Sequence, residues 1–166
     1  MQGLQPWSWL IAPTLLAIVG TVILGAPVRL FGLALPEPVF PMVLAFAWAV
    51  IRPSVLGPFL LLAAGLFLDL FWGGALGLWS LALILAYGVA LTARSLMAGQ
   101  SGTVLAVWYL GATALAFGAA YLFAMLDAHV PPDPIAVGVQ FAFTVALFPL
   151  TRRLIERFED ADVRFR

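Results

Sequence analysis

The sequence predicts an all-α membrane protein, a six-transmembrane-helix bundle. Three observations carry that prediction: an apolar composition, six hydrophobic runs separated by helix-breaking segments, and arginines gathered on one side of those runs. The chain has 166 residues, of which 64% are hydrophobic and only 10% charged, with a mean hydropathy of +1.09. A water-soluble domain of this size could not present such a surface, because its charged groups are too few to cover it. Lipid is therefore the expected solvent. A spanning helix needs roughly 20 mainly apolar residues, so the length holds about five or six spans and leaves no room for a separate soluble domain.

The first run, residues 9–30, carries no charge until Arg29 and opens with Trp7 and Trp9, the amphipathic residues expected at a bilayer interface. Residues 1–8 lack the basic start and small-residue cleavage site of a signal peptide, so this run is expected to persist as a helix. Leu35-Pro36-Glu37-Pro38 interrupts the chain, and a second run, 39–51, follows. It is short for a hydrocarbon layer about 30 Å thick, which leaves a thin crossing or a re-entrant hairpin open. Arg52-Pro53 ends it. Ser54 is placed to cap the third run, 54–71, which contains Asp69 near its far end. Trp72-Gly73-Gly74-Ala75 forms a turn into the fourth run, 76–92. After the polar break 94–102 comes a long fifth run, 103–126, and then the loop Asp127-Ala128-His129-Val130-Pro131-Pro132. Asp133 and Pro134 have the form of a cap and first-turn proline starting the sixth run, 135–151. Residues 152–166 form a polar, amphipathic tail. The spans 1–151 are thus read as one bundle, and 152–166 as a cytoplasmic appendage.

All eight basic residues are arginine, and five of them follow position 151. If every run crosses, the amino terminus, Arg52, the Arg94 loop and the tail share one side with seven of the eight arginines. Cytoplasmic loops are enriched in this way, so both termini are expected in the cytoplasm, and the second run is expected to cross. Five crossings would scatter the charges.

The residues that could carry chemistry are few. With no cysteine and one histidine, His129, thiolate catalysis, disulfides and metal chelation lack ligands. No phosphate-binding glycine loop, intramembrane carboxylate pair or activated nucleophile is present, so no catalytic or cofactor-binding apparatus is predicted and the protein is read as a non-enzyme. A net charge of zero, with five of the eight arginines in the tail and so no global basic surface, argues against nucleic acid. Asp69 is the one ionisable residue well inside a run, where an unpaired charge costs a few kcal/mol; it caps the glycine turn, contacts a partner, or couples an ion. Gly65, Asp69, Gly73 and Gly77 recur every four residues, a spacing that admits close helix approach, inside the protein or against another. Ala112, Ala116 and Ala120 repeat that spacing. In the tail, Leu150, Leu154, Ile155 and Phe158 oppose Arg152, Arg153 and Arg157, a pattern suited to an anionic leaflet or to a cytoplasmic partner.

The stretch from Arg52 to Gly77 joins Arg52-Pro53, Gly65-Leu66-Phe67-Leu68-Asp69-Leu70 and Gly73-Gly74-Ala75-Leu76-Gly77-Leu78 after a short apolar run. It resembles the rod-shape-determining MreD family, whose characteristic stretch sets a Gly-Leu-x-x-Asp pattern before a Gly-x-x-Leu-Gly pattern. The similarity is strongest over residues 36–90. The resemblance implies a subunit of the bacterial inner membrane that binds MreC and works with the MreB filament, RodA and a class B penicillin-binding protein, doing no peptidoglycan chemistry itself. It also implies a bundle similar to the substrate-binding S-components of energy-coupling-factor vitamin transporters. That gives the alternative function, a small-molecule transport subunit, in which Trp72, Trp79, Trp108 and Tyr121 would line a pocket.

Overall fold

A computed structural model describes residues 6–24, 29–30, 33–34, 37–51 and 53–163. Among these residues the chain forms seven helices: α1 (Pro6–Leu24), α2 (Pro41–Ile51), α3 (Leu56–Trp72), α4 (Leu78–Met97), α5 (Gly102–Ala128), α6 (Pro134–Val145) and α7 (Phe148–Val163). Two short strands, β1 (Arg29–Leu30) and β2 (Leu33–Ala34), pair antiparallel between α1 and α2.

Three helical stretches are long and apolar enough to cross a membrane: Leu78–Met97, Gly102–Ala128, and Pro134–Arg157, which takes in α6 and most of α7. The apolar helices Leu10–Ile23, Pro41–Ile51 and Leu56–Trp72 are shorter. Of the six runs expected to cross, three are thus long enough to do so by length and composition, and the shortness expected of the second run extends to the first and third. At 1.5 Å per residue, the 11 residues of α2 extend only about 16 Å. Such a helix need not match the bilayer if protein surrounds it. That is the case here: every residue of α2 from Pro41 to Ala49 is buried. It packs against α1, α3, α4, α5 and α7.

Two boundaries also differ from the sequence expectation. The helix described within the first run is Pro6–Leu24, and Arg29 and Leu30, expected at the end of that run, pair instead with Ala34 and Leu33. The sixth run and the tail are not divided at 151. The break falls earlier, between α6 and α7, where Leu147 N–H donates to Thr144 O and Leu150 N–H to Leu147 O in tight turns. Pro149 has no N–H for the helical bond to Val145. From Phe148 one helix runs through Arg152 to Val163.

Small side chains let α4 lie at the centre. Ala82, Ala86, Ala90 and Ala93 form a buried stripe on it, and Ala112, Ala116 and Ala120 of α5 are buried as well. Phe46 of α2 meets Tyr109 of α5 edge to face, with centroids 5.4 Å apart. The outward faces are apolar too, with Leu16, Phe59, Leu70, Leu81, Val107 and Leu115 exposed. A surface of this kind suits lipid and not water.

The antiparallel packing gives the bundle two chemically different ends. Arg94 caps α2 at one end, its Nε donating to Val50 O at 2.9 Å and its Nη2 to Ile51 O at 3.4 Å. Arg152 of α7 sits at that same end against Gly102, the first residue of α5. At the opposite end lie the α3–α4 turn with Asp69, the side chain of Glu37, Asp127 in the last turn of α5 and Asp133 at the start of α6.

Candidate functional site

The acidic end of the bundle is built around Asp69, in the last turn of α3. This side chain is 1% exposed. Its Oδ2 accepts the backbone N–H of Gly77 at 2.8 Å, and its Oδ1 accepts that of Trp79 at 2.9 Å. Gly77 is the N-cap residue of α4. The carboxylate therefore satisfies amide donors that a helix start leaves unpaired, and places negative charge at the positive end of the helix dipole. The backbone carbonyl of Asp69 accepts the N–H groups of Gly73 and Gly74, so one residue closes both the end of α3 and the beginning of α4.

The remaining residues of the every-fourth pattern play two distinct parts. Gly65 packs directly on Ser80 of α4: a β-carbon at position 65 would run into the Ser80 backbone. Nearby, Ser80 Oγ donates to Leu62 O at 3.0 Å. Gly73 and Gly77 instead have left-handed backbones, with φ of 67° and 94°, and a β-carbon at either would touch nothing. They are glycine because the turn needs positive φ, which side chains resist. The four residues thus fall on one hairpin without forming one face. Pro53 is an exposed residue of the α2–α3 connection, and Arg52 lies outside the described residues. The N-cap of α3 is Val55 and not the expected Ser54, whose Oγ accepts the Leu56 N–H at 3.1 Å from one residue earlier.

A polar and aromatic cluster adjoins the hairpin. Trp72 Nε1 donates to Glu37 Oε2 at 2.9 Å, and Gln140 Nε2 donates to Glu37 O at 2.9 Å. Trp72 meets Trp79 edge to face at 5.5 Å; Trp79 meets Phe117 at 5.3 Å, and Phe117 meets Phe141 at 5.5 Å. Phe117 and Phe141, rather than Trp108 and Tyr121, complete this group. One step further into the bundle, Thr144 Oγ1 accepts the Val39 N–H at 3.1 Å and donates to Gln140 O at 2.8 Å, while Tyr109 Oη donates to Thr144 O at 3.0 Å.

No family model, curated protein or solved structure matches this chain.

Tyr109, Gln140 and Thr144 were not singled out by the sequence, and Glu37 and Arg94 entered it only as parts of a chain break and a charged loop. Gln140 and Thr144, four residues apart in an otherwise apolar helix, carried the available signal: polar groups at that spacing share one face, and in lipid such a face turns inward. His129 is exposed, has a left-handed backbone at φ 55° and lies within 3.2 Å of Asp127 O through Nδ1. Among the described residues, no group of three or more His, Cys, Asp or Glu side chains could hold a metal ion.

At the arginine end, Arg152 Nε pairs with Glu156 Oε1 at 2.6 Å on the exposed side of α7. Arg153 and Arg157 lie elsewhere, on the wall of a groove between α1, α2 and α7. The tail arginines predicted to act together therefore divide into a paired residue and two that face an open space.

Proposed function

We propose that this chain is a non-catalytic membrane scaffold of a cell-wall elongation complex, resembling MreD. It binds MreC in the bacterial inner membrane and helps position RodA and a class B penicillin-binding protein near the MreB filament. In this reading the chain crosses six times as a bundle, with α1, α2 and α3 as thin crossings and α6 joined to α7 as the last, and both termini lie in the cytoplasm.

The observation that carries the reading is the α3–α4 hairpin. Gly65, Asp69, Gly73 and Gly77, part of the stretch on which the resemblance rests, lie together on this hairpin, with Gly65 seated on Ser80 and Asp69 closing the turn. Both carboxylate oxygens of Asp69 are bonded to main-chain amides. That favours a part that holds its shape over one that exchanges protons. The outer face of α3, with Phe59, Leu62, Leu66 and Leu70, stays exposed and apolar, as a helix does when it meets lipid or a neighbouring membrane protein.

Depletion of the protein in a rod-shaped host tests the proposal, together with purification from membranes. Cells are expected to round up, and MreC is expected to co-purify. Cells that keep their rods, with no MreC recovered, would remove the scaffold reading.

A further inference from the structure

Helices α1 and α7 each pack on α2 and leave between them an open groove of about 1120 Å³. Its walls differ along its length. Gly20 and Phe40 form one end, Leu16 and Leu44 continue the apolar lining, and Arg153 and Arg157 stand at the α7 end. From Pro13 to Gly20 along α1 the apolar part extends about 10 Å.

We infer that this groove binds one anionic glycerophospholipid, its phosphate on Arg153 and Arg157 and an acyl chain laid along α1 and α2 toward Gly20. The inference rests on the membrane placement proposed above. Three features of the groove select this occupant. Glu156, the one acidic residue in the lining, is already engaged by Arg152. Arg153 and Arg157 are four apart on one helix, where like charges repel, and the ion pair that Glu156 makes is with Arg152 and with neither of them. A phosphodiester between them removes that repulsion. The cations also adjoin an apolar trough open to the side where Leu15, Leu16 and Val19 are exposed, so a lipid can enter from the bilayer without crossing water. A soluble anion would leave the trough unfilled, and an uncharged lipid would leave the arginines unanswered.

The test is native mass spectrometry of the purified full chain in detergent, with dioleoylphosphatidylglycerol and dioleoylphosphatidylcholine added in equal amounts. One phosphatidylglycerol per chain should be retained in preference to phosphatidylcholine. Arg153→Gln with Arg157→Gln should reduce that retention about tenfold to a hundredfold, as loss of two basic residues beside anionic lipid implies. Gly20→Leu should lower retention of the lipid while leaving every charge in place. The Gly20→Leu result and the wild-type preference decide the matter if the double variant fails to fold. Equal retention of the two lipids by the wild type, or undiminished phosphatidylglycerol on a folded double variant, overturns the site. Carbonate extraction from vesicles of three parts phosphatidylcholine to one part phosphatidylglycerol separates the two levels of the claim. A chain that is extracted fails both the membrane placement and the site; one that stays with the vesicles yet holds both lipids equally fails only the site.

Discussion

Asp69 reaches across the turn to Trp79, its Oδ1 accepting the indole residue's backbone N–H at 2.9 Å, while Oδ2 holds Gly77. The carboxylate has two acceptor oxygens for two amide donors. Asparagine offers one oxygen and an NH2 group that would confront the second amide. Asp69→Asn is therefore expected to lower stability by about 1–3 kcal/mol, the cost of a buried donor left without a partner. The thermal unfolding midpoint in detergent measures it. An unchanged midpoint combined with lost MreC binding would make Asp69 a partner contact instead of a cap.

Two glycines of the α3–α4 hairpin should respond in opposite directions. Gly65→Ala forces a methyl group against the Ser80 backbone, and overpacking of this kind costs about 1–3 kcal/mol. Gly88, within α4, has open space where its β-carbon would stand, so Gly88→Ala should stabilise by about 0.5–1 kcal/mol through the lost freedom of the unfolded chain. Comparison of the two unfolding midpoints with the wild type gives the signs.

Arg94 should matter to a helix distant in sequence. Its guanidinium bonds the last carbonyls of α2, where a cation also complements the helix dipole. Arg94→Gln is expected to cost about 1 kcal/mol and to open the α2–α3 connection to proteolysis. Cleavage mapped to residues 53–56 at an increased rate would bear this out, and an unaltered digestion pattern would refute it.

Reporter fusions check the orientation. Reporters placed at Gly99 and after Arg166 should register the cytoplasm, and one at His129 the opposite side. A C-terminal reporter on the side of His129 would rule out the six-crossing arrangement.

The apolar runs, the Asp133 start signal and the turn at Gly73 were legible because each is written in adjacent residues. Asp133 indeed accepts the Ile135 N–H at 3.0 Å. The setting of α2 was not legible. Hydropathy weighs a lipid-facing leucine and a protein-facing one alike, so a run of Ala, Phe and Trp gives no sign of being enclosed on all sides. Its anchors come from afar: Thr144 to Val39 spans 105 residues and Gln140 to Glu37 spans 103. For Asp69, the sequence left capping, partner contact and ion coupling open, because depth alone cannot say which donors face a carboxylate. The division of the tail arginines was equally hidden, since helical spacing puts Arg153 and Arg157 together but does not show what stands opposite them.

The enclosure of α2 bears on how the chain is made. Ribosomes deliver α2 before α4, α5 and α7, the helices that later cover it, and about 16 Å of helix cannot bridge the hydrocarbon layer unaided. Until α7 emerges, α2 therefore lacks one of the helices that enclose it, and the packing of the first half depends on the last helix.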